Sequence, residues 1–277
     1  MGRTEQCRWW PRVQLSPELA IAIAITAWGI IWLPGMWRDL VRAIDGRNAP
    51  DFEIFASAAR LAWSGGDIYA SQPCTGCVFR YSPIFAYLFA PIAALGSTIW
   101  ALAHLGVLFA LPFRIARFVP LLWPFWWDLG TGNNITFLLV LCFWAMRGKG
   151  WAVAGVLVFA AFAPRPLIVP IVMWLLWSHR QWLIPFAAGL VASIGFALVT
   201  GHLDRWTEVL LTTGASELTA SYNVGPTAIV GFGWMLAAVP LAGFALWRGR
   251  PATAGLLLQP YWLPYYLLMP LADRWRR

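Results

Sequence analysis

Two ionisable side chains stand out of an oily sequence as reagents: Asp51, in Pro50-Asp51-Phe52-Glu53-Ile54-Phe55, and Arg165, in Ala163-Pro164-Arg165-Pro166. A carboxylate at a partly desolvated position can take the proton from a hydroxyl as that hydroxyl attacks, which is general-base chemistry. The spacing also fits a plainer role, because an acid after Pro50 and ahead of a helical pattern can cap that helix. Glu53 falls elsewhere around the same helix, so a pair of carboxylates is not expected. Asp39, Asp45 and Asp67 share the segment and stay open as alternatives on spacing alone. Arg165 lies in the middle of an apolar hairpin, where a charge is costly unless it faces a cavity or a partner. The alternative is an elbow residue whose guanidinium snorkels to water.

The elements that hold these residues read as membrane helices. The chain is 60% hydrophobic and 12% charged, with 20 Trp, whereas a soluble domain carries about twice that charge. Runs near 20 apolar residues are of spanning length. Pro17 to Trp37 is the first such run, and without a small-residue cleavage site it reads as a retained anchor. Arg3, Arg8 and Arg12 precede it, which makes 1–16 a cytoplasmic N-terminus and 38–81 an extracytoplasmic loop. Within that loop Phe52, Phe55, Ala59, Ala62 and Trp63 recur on one helical face with Arg60 on the polar side, the pattern of an interfacial helix.

Two pairs of short apolar stretches follow. Phe118 to Trp127 and Ile135 to Met146 flank the polar elbow from Asp128 to Asn134; Trp151 to Ala163 and Leu167 to Trp177 flank Pro164-Arg165-Pro166. Irregular backbone at membrane depth is tolerated where it lines a cavity, and both elbows are expected on the side of Asp51. Tyr81 to Phe113 reads as two helices or as one bent span. Gln181 to Thr200, Ala228 to Trp247 and Ala252 to Leu271 read as further spans, with an extracytoplasmic loop over 201–225. The expected fold is an all-α integral membrane protein: one domain over 1–277, a polytopic bundle of about 8–10 membrane helices. The net charge of +8 follows from loop topology, and no basic stripe on a soluble domain points to nucleic acid.

The remaining reactive residue types carry less. The four cysteines are Cys7, Cys74, Cys77 and Cys142. Cys74-Thr75-Gly76-Cys77 lacks a second ligand pair for zinc and fits a local disulfide in an extracytoplasmic loop. His104, in an apolar run, reads as a core histidine bonded to a neighbouring helix, and His179 as a turn residue. Asp204 and Glu208, four residues apart, read as solvated surface charge or as part of a cover over an acceptor site. Asn133 and Asn134 serve equally as helix caps or as hydrogen-bonding groups, and Arg80 as an interfacial anchor beside Tyr81. Most of the Trp read as interface anchors, with Trp206 and Trp262 as candidates for stacking on a ring-shaped ligand. No visible cluster requires a divalent metal, and none calls for another cofactor.

Asp51-Phe52, Ala58-Ala59-Arg60, Gly65-Gly66, Ile68-Tyr69 and Phe79-Arg80-Tyr81-Ser82-Pro83 through Pro91 together resemble the opening of the GT-C membrane glycosyltransferases. The nearest subgroup is the bacterial polyprenyl-phosphate-mannose-dependent mannosyltransferases, glycosyltransferase family 87. Gly132-Asn133-Asn134 resembles that group's Gly-Gln elbow with Asn for Gln. Ala163-Pro164-Arg165-Pro166 resembles its Ala-x-Lys-x-x-Pro elbow with Arg for Lys and the proline displaced. Asn223 stands where a polar loop is expected, Tyr261 to Tyr266 resembles the late aromatic helix, and the chain is shorter than family members.

The resemblance implies a cell-membrane, multi-pass enzyme with an extracytoplasmic active site. Its activity would be an inverting transfer of a sugar, mannose in that family, from a polyprenyl monophosphate to a glycolipid or envelope glycan. Asp51 would be the catalytic base. Arg165, with Arg80, Tyr81, Asn133 and Asn134, would bind the donor's phosphate or sugar, and Asp204, Trp206 and Asn223 would lie on the acceptor side. The partners would be membrane lipids, the lipid-linked donor and the acceptor. A transporter or lipid-binding protein built from broken helices, or an inactive shortened relative, remain the other readings.

Overall fold

The computed structural model describes residues 49–70, 73, 77–218 and 223–274, together with Pro34, Trp37, Arg38 and Val41. Arg3, Arg8, Arg12, Asp39, Asp45, Cys7 and Cys74 lie outside the described residues, as does the expected first span apart from Pro34 and Trp37. Among the described residues all regular structure is helical, with no strand.

Helix α1 (Pro50–Ser64) starts with Pro50 in its first turn, where a missing N–H costs nothing. It stops at Gly65, whose φ of 74° is left-handed. It buries Phe52, Ile54, Phe55, Ala56, Ala58, Ala59 and Ala62, a wider face than the single stripe expected. Trp63 was expected on that face but is 69% exposed, and its indole N–H instead donates to the Tyr87 carbonyl. Opposite the buried face, Arg60 pairs with Glu53. Helix α2 (Pro83–Val107) lies along α1 through a run of rings, with Phe55 edge-on to Phe85 and Phe89 at centroid separations of 5.5 and 5.3 Å. It is one element broken at Gly96, where φ is 84°, a value natural only to glycine.

The two short hairpins form as pairs of helices. The first is α3 (Trp123–Thr131) and α4 (Ile135–Ala145); the second is α5 (Gly150–Phe162) and α6 (Val169–Ser178). The first arm begins later than expected. Pro120 and Pro124 confine Val119–Leu121 to a 3-10 turn, because proline has no N–H to continue a helix through it. Then come α7 (Leu183–Val199), α8 (Leu203–Leu218), α9 (Trp234–Trp247) and α10 (Pro251–Leu258).

The segment expected as a connecting loop over 201–225 carries the 16-residue helix α8, since Leu203, Trp206 and Val209 recur at helical spacing and pack on the core of α1 and α2. One expectation fails. The span from Ala252 to Leu271 does not exist as one helix. Its helical part ends at Leu258, and Pro260, Pro264 and Pro270 hold the rest to extended chain and a 3-10 turn over Pro264–Leu268.

Among the described residues three segments are long and apolar enough to cross a membrane: Pro83–Ala110, Arg180–Val199 and Thr227–Trp247. Their outer faces carry bare apolar side chains such as Phe109, Ile184, Val199 and Leu236. The interior divides into one apolar core around α3 to α6, α10 and the last tyrosines, and another around α1 and α2. The polar elbows lie where these two cores meet.

Candidate active site

Asp51 does not cap α1. The cap position belongs to Ala49, with no side-chain cap bond, and Asp51 sits inside the first turn. Its Oδ2 accepts the Nδ2–H of Asn133 at 2.8 Å. Burial pushes the Asp51 carboxyl above the usual range; the Asn133 and Thr131 side chains and the Arg165 charge pull it back, while Asp128 adds to the rise. A carboxylate that remains basic yet stays tethered is the form general-base work requires.

The elbow from Asp128 to Asn134 reaches Asp51 because Gly132 lets it. Gly132 has a φ of 72°, and a Cβ there would stand 2.7 Å from the Cβ of Phe52 and 3.1 Å from that of Ala49. Two elements therefore touch through a residue with no side chain. Beyond it, Asn133 uses one amide group twice, donating to Asp51 and to the Tyr265 hydroxyl at 3.0 Å. Its Oδ1 accepts the Asn134 backbone N–H at 2.7 Å. Asn134 donates to the Tyr81 hydroxyl at 3.2 Å, and its own Oδ1 is buried without a hydrogen-bond partner.

The second elbow brings in the cation. Arg165 donates to the Tyr266 hydroxyl at 3.2 Å and to the Tyr81 hydroxyl, with its guanidinium 4.9 Å from the Tyr81 ring centroid. Arg80 donates to the Tyr261 hydroxyl at 3.4 Å. Four phenols thus accept from amide or guanidinium groups, and each keeps its own O–H for a ligand. Asp51, Asn133, Asn134, Tyr81 and Arg165 form one hydrogen-bonded chain, and Arg80 stands beside it through Tyr261, whose ring lies 6.4 Å from that of Tyr266. A guanidinium, a carboxylate and a set of donors in one cluster suit an oxyanion beside a base.

The three residues expected on the acceptor side stand apart from this network. Asp204 is exposed at the start of α8, and Trp206 is buried in the core of α1 and α2. Asn223 is a bracket: its Oδ1 accepts from the backbone N–H of Gly225 and of Trp262, each at 3.0 Å. It steadies the segment that carries the late tyrosines. Trp262 is held in that bracket and donates to the Gln259 carbonyl. Asp67 is likewise engaged, near Arg205 of α8 at 3.6 Å.

Sequence reasoning gave no site role to Tyr261, Tyr265, Tyr266 or Asp128. The tyrosines were signalled only by three prolines in a supposed span, a pattern that should have broken it. Among the described residues no group of three or more His, Cys, Asp or Glu is placed to hold a metal. Cys77 is disulfide-bonded, its partner outside the described residues, and Cys142 is a buried free thiol. Comparison with family models, curated proteins and solved structures finds no match for this chain.

Proposed function

We propose that this protein is a polytopic membrane glycosyltransferase that moves a sugar from a polyprenyl monophosphate to a hydroxyl acceptor at the extracytoplasmic face. The observation that carries this reading is the single network joining Asp51 to Arg165. It runs from the carboxylate to Asn133, from Asn133 to Asn134, from Asn134 to the Tyr81 hydroxyl and so to Arg165, with Tyr265 bonded to Asn133 and Tyr266 to Arg165 on its flanks. Asp51 takes the acceptor's proton as the acceptor oxygen bonds to the anomeric carbon. The bond from that carbon to the phosphate oxygen breaks with inversion, and its electron pair stays on the lipid monophosphate.

Arg165 and Arg80, with the free O–H groups of Tyr81, Tyr261 and Tyr266, receive the growing charge, an electrostatic role that usually dominates such catalysis. A membrane location for the donor accords with the three long apolar segments, and the resemblance of Asp51 to Pro83 to the family 87 opening makes mannose the sugar of choice.

The test is transfer of mannose from polyprenyl-phosphate-mannose in membranes containing the chain. Asp51→Asn should abolish transfer while the variant keeps the wild-type melting profile, because the isosteric amide still meets Asn133 but accepts no proton. Transfer at the wild-type rate by Asp51→Asn would end this assignment.

A further inference from the structure

Behind Asn133 lies a second polar layer that the chemistry above does not touch. Trp100 and His104 sit one helical turn apart on α2 and reach two successive carbonyls of the elbow. Trp100 Nε1 donates to the Gly132 oxygen at 2.8 Å, and His104 Nε2 lies 2.6 Å from the Asn133 oxygen. The other ring nitrogen, Nδ1, lies 2.8 Å from the Trp100 carbonyl. A carbonyl oxygen only accepts, so hydrogen bonds to both oxygens call for hydrogen on both ring nitrogens. A carboxylate stands by: Asp128 Oδ2 is 3.6 Å from Nε2, and both side chains are fully buried.

Asp128 in turn closes the elbow on itself. Its backbone oxygen accepts the N–H of Gly132 and of Asn133, at 3.0 and 3.1 Å. Its carboxylate accepts the N–H of Ile135 and Thr136 and the Thr136 hydroxyl, at 3.3, 2.7 and 2.6 Å. Gly132, Asn133, Ile135 and Thr136 are therefore each tied to His104 or Asp128. The Trp100 and Phe137 rings flank His104, at 5.4 and 4.6 Å. The other charged group that feels Asp128 is Asp51, across the elbow.

We infer that His104 and Asp128 form a buried imidazolium–carboxylate clamp that sets the position of Asn133, and through it the orientation of Asp51. The pair are positioning residues; neither touches the reacting atoms. The clamp stands on geometry alone, whereas its catalytic consequence rests on the glycosyl-transfer reading.

Ring-nitrogen NMR on the full chain in nanodiscs tests the clamp directly. The sequence has three histidines, and the resonances lost in His104→Gln identify the ring in question. The expected result at neutral pH is two protonated ring nitrogens for His104, with a bare nitrogen appearing in Asp128→Asn. A bare nitrogen in the wild-type chain, or a ring unchanged in Asp128→Asn, overturns the clamp. In the transfer assay, His104→Gln is expected to lower kcat by roughly ten- to a hundred-fold, as outer-layer partners do, with the donor KM unchanged. Unaltered kcat in a variant with a lowered melting temperature would reduce the pair to a structural role. Absence of transfer by the wild-type chain would remove the glycosyl-transfer reading, and the ring spectrum would still decide the clamp.

Discussion

Asp51 is held in tension between desolvation, which keeps its proton, and three neighbours that draw the proton away. A free aspartate titrates near ~3.9, so the acidic limb of the transfer rate should lie above that value. The sign follows from the role. The base works only when ionised, so activity is lost as pH falls through the raised value. Asn133→Ala removes the first of the stabilising neighbours and should carry the limb further up; Arg165→Met should do the same while also weakening the donor's hold. A pH–rate profile of each variant decides this, and a limb that stays put would mean another group titrates. Arg165→Lys keeps the charge but loses the forked donor geometry, so it should move the limb little and still reduce turnover.

At the scale of the element, the site is made by two elbows and one broken segment, each dependent on a glycine or on prolines. Gly132 admits α1 against the first elbow. Gly255 on α10 admits the second, since a Cβ there would fall 1.9 Å from the Leu167 carbonyl oxygen. Replacing either by Ala should lower the melting temperature, at a cost of about 1–3 kcal/mol for forced overpacking, and both changes should depress transfer although neither residue faces the ligand. A variant as stable and active as the parent would show that the elbows tolerate displacement.

These elbows were legible in the sequence because polar residues interrupt apolar runs too short to span. Asp51 was legible for a related reason, as an acid just inside a proline-started helix. The tyrosines were not. Tyr261, Tyr265 and Tyr266 lie in a stretch whose composition resembles a membrane helix, and only Pro260, Pro264 and Pro270 argue otherwise. The amphipathic pattern of α8 was hidden in turn by its charged start at Asp204 and Arg205. His104 was seen as a core histidine, but its ring nitrogens meet backbone carbonyls on its own helix and on the elbow, which no side-chain pattern reports.

For the whole molecule, none of the described residues covers the outer faces of the three long apolar segments. Ile184 is 82% and Leu236 85% exposed. A charge at the centre of an inserted helix costs about 2.5–3.5 kcal/mol. Ile184→Arg and Leu236→Arg should therefore reduce the fraction of chain that resists alkaline extraction from membranes, whereas Arg at the exposed Asp204 position should not. Equal extraction of all three variants would remove the case for a bilayer around these segments.

The order of synthesis gives the proline-broken stretch a further meaning. Tyr265 meets Asn133 across 132 residues of sequence and Tyr261 meets Arg80 across 181, so the phenols leave the ribosome long after the groups they join. Until they arrive, Asn133 already meets Asp51 and Tyr81 already meets Arg165, but the late phenols are missing from the cluster. A chain halted before Tyr261 therefore holds the first half of the network without its closing side, and the set is complete only once that stretch docks.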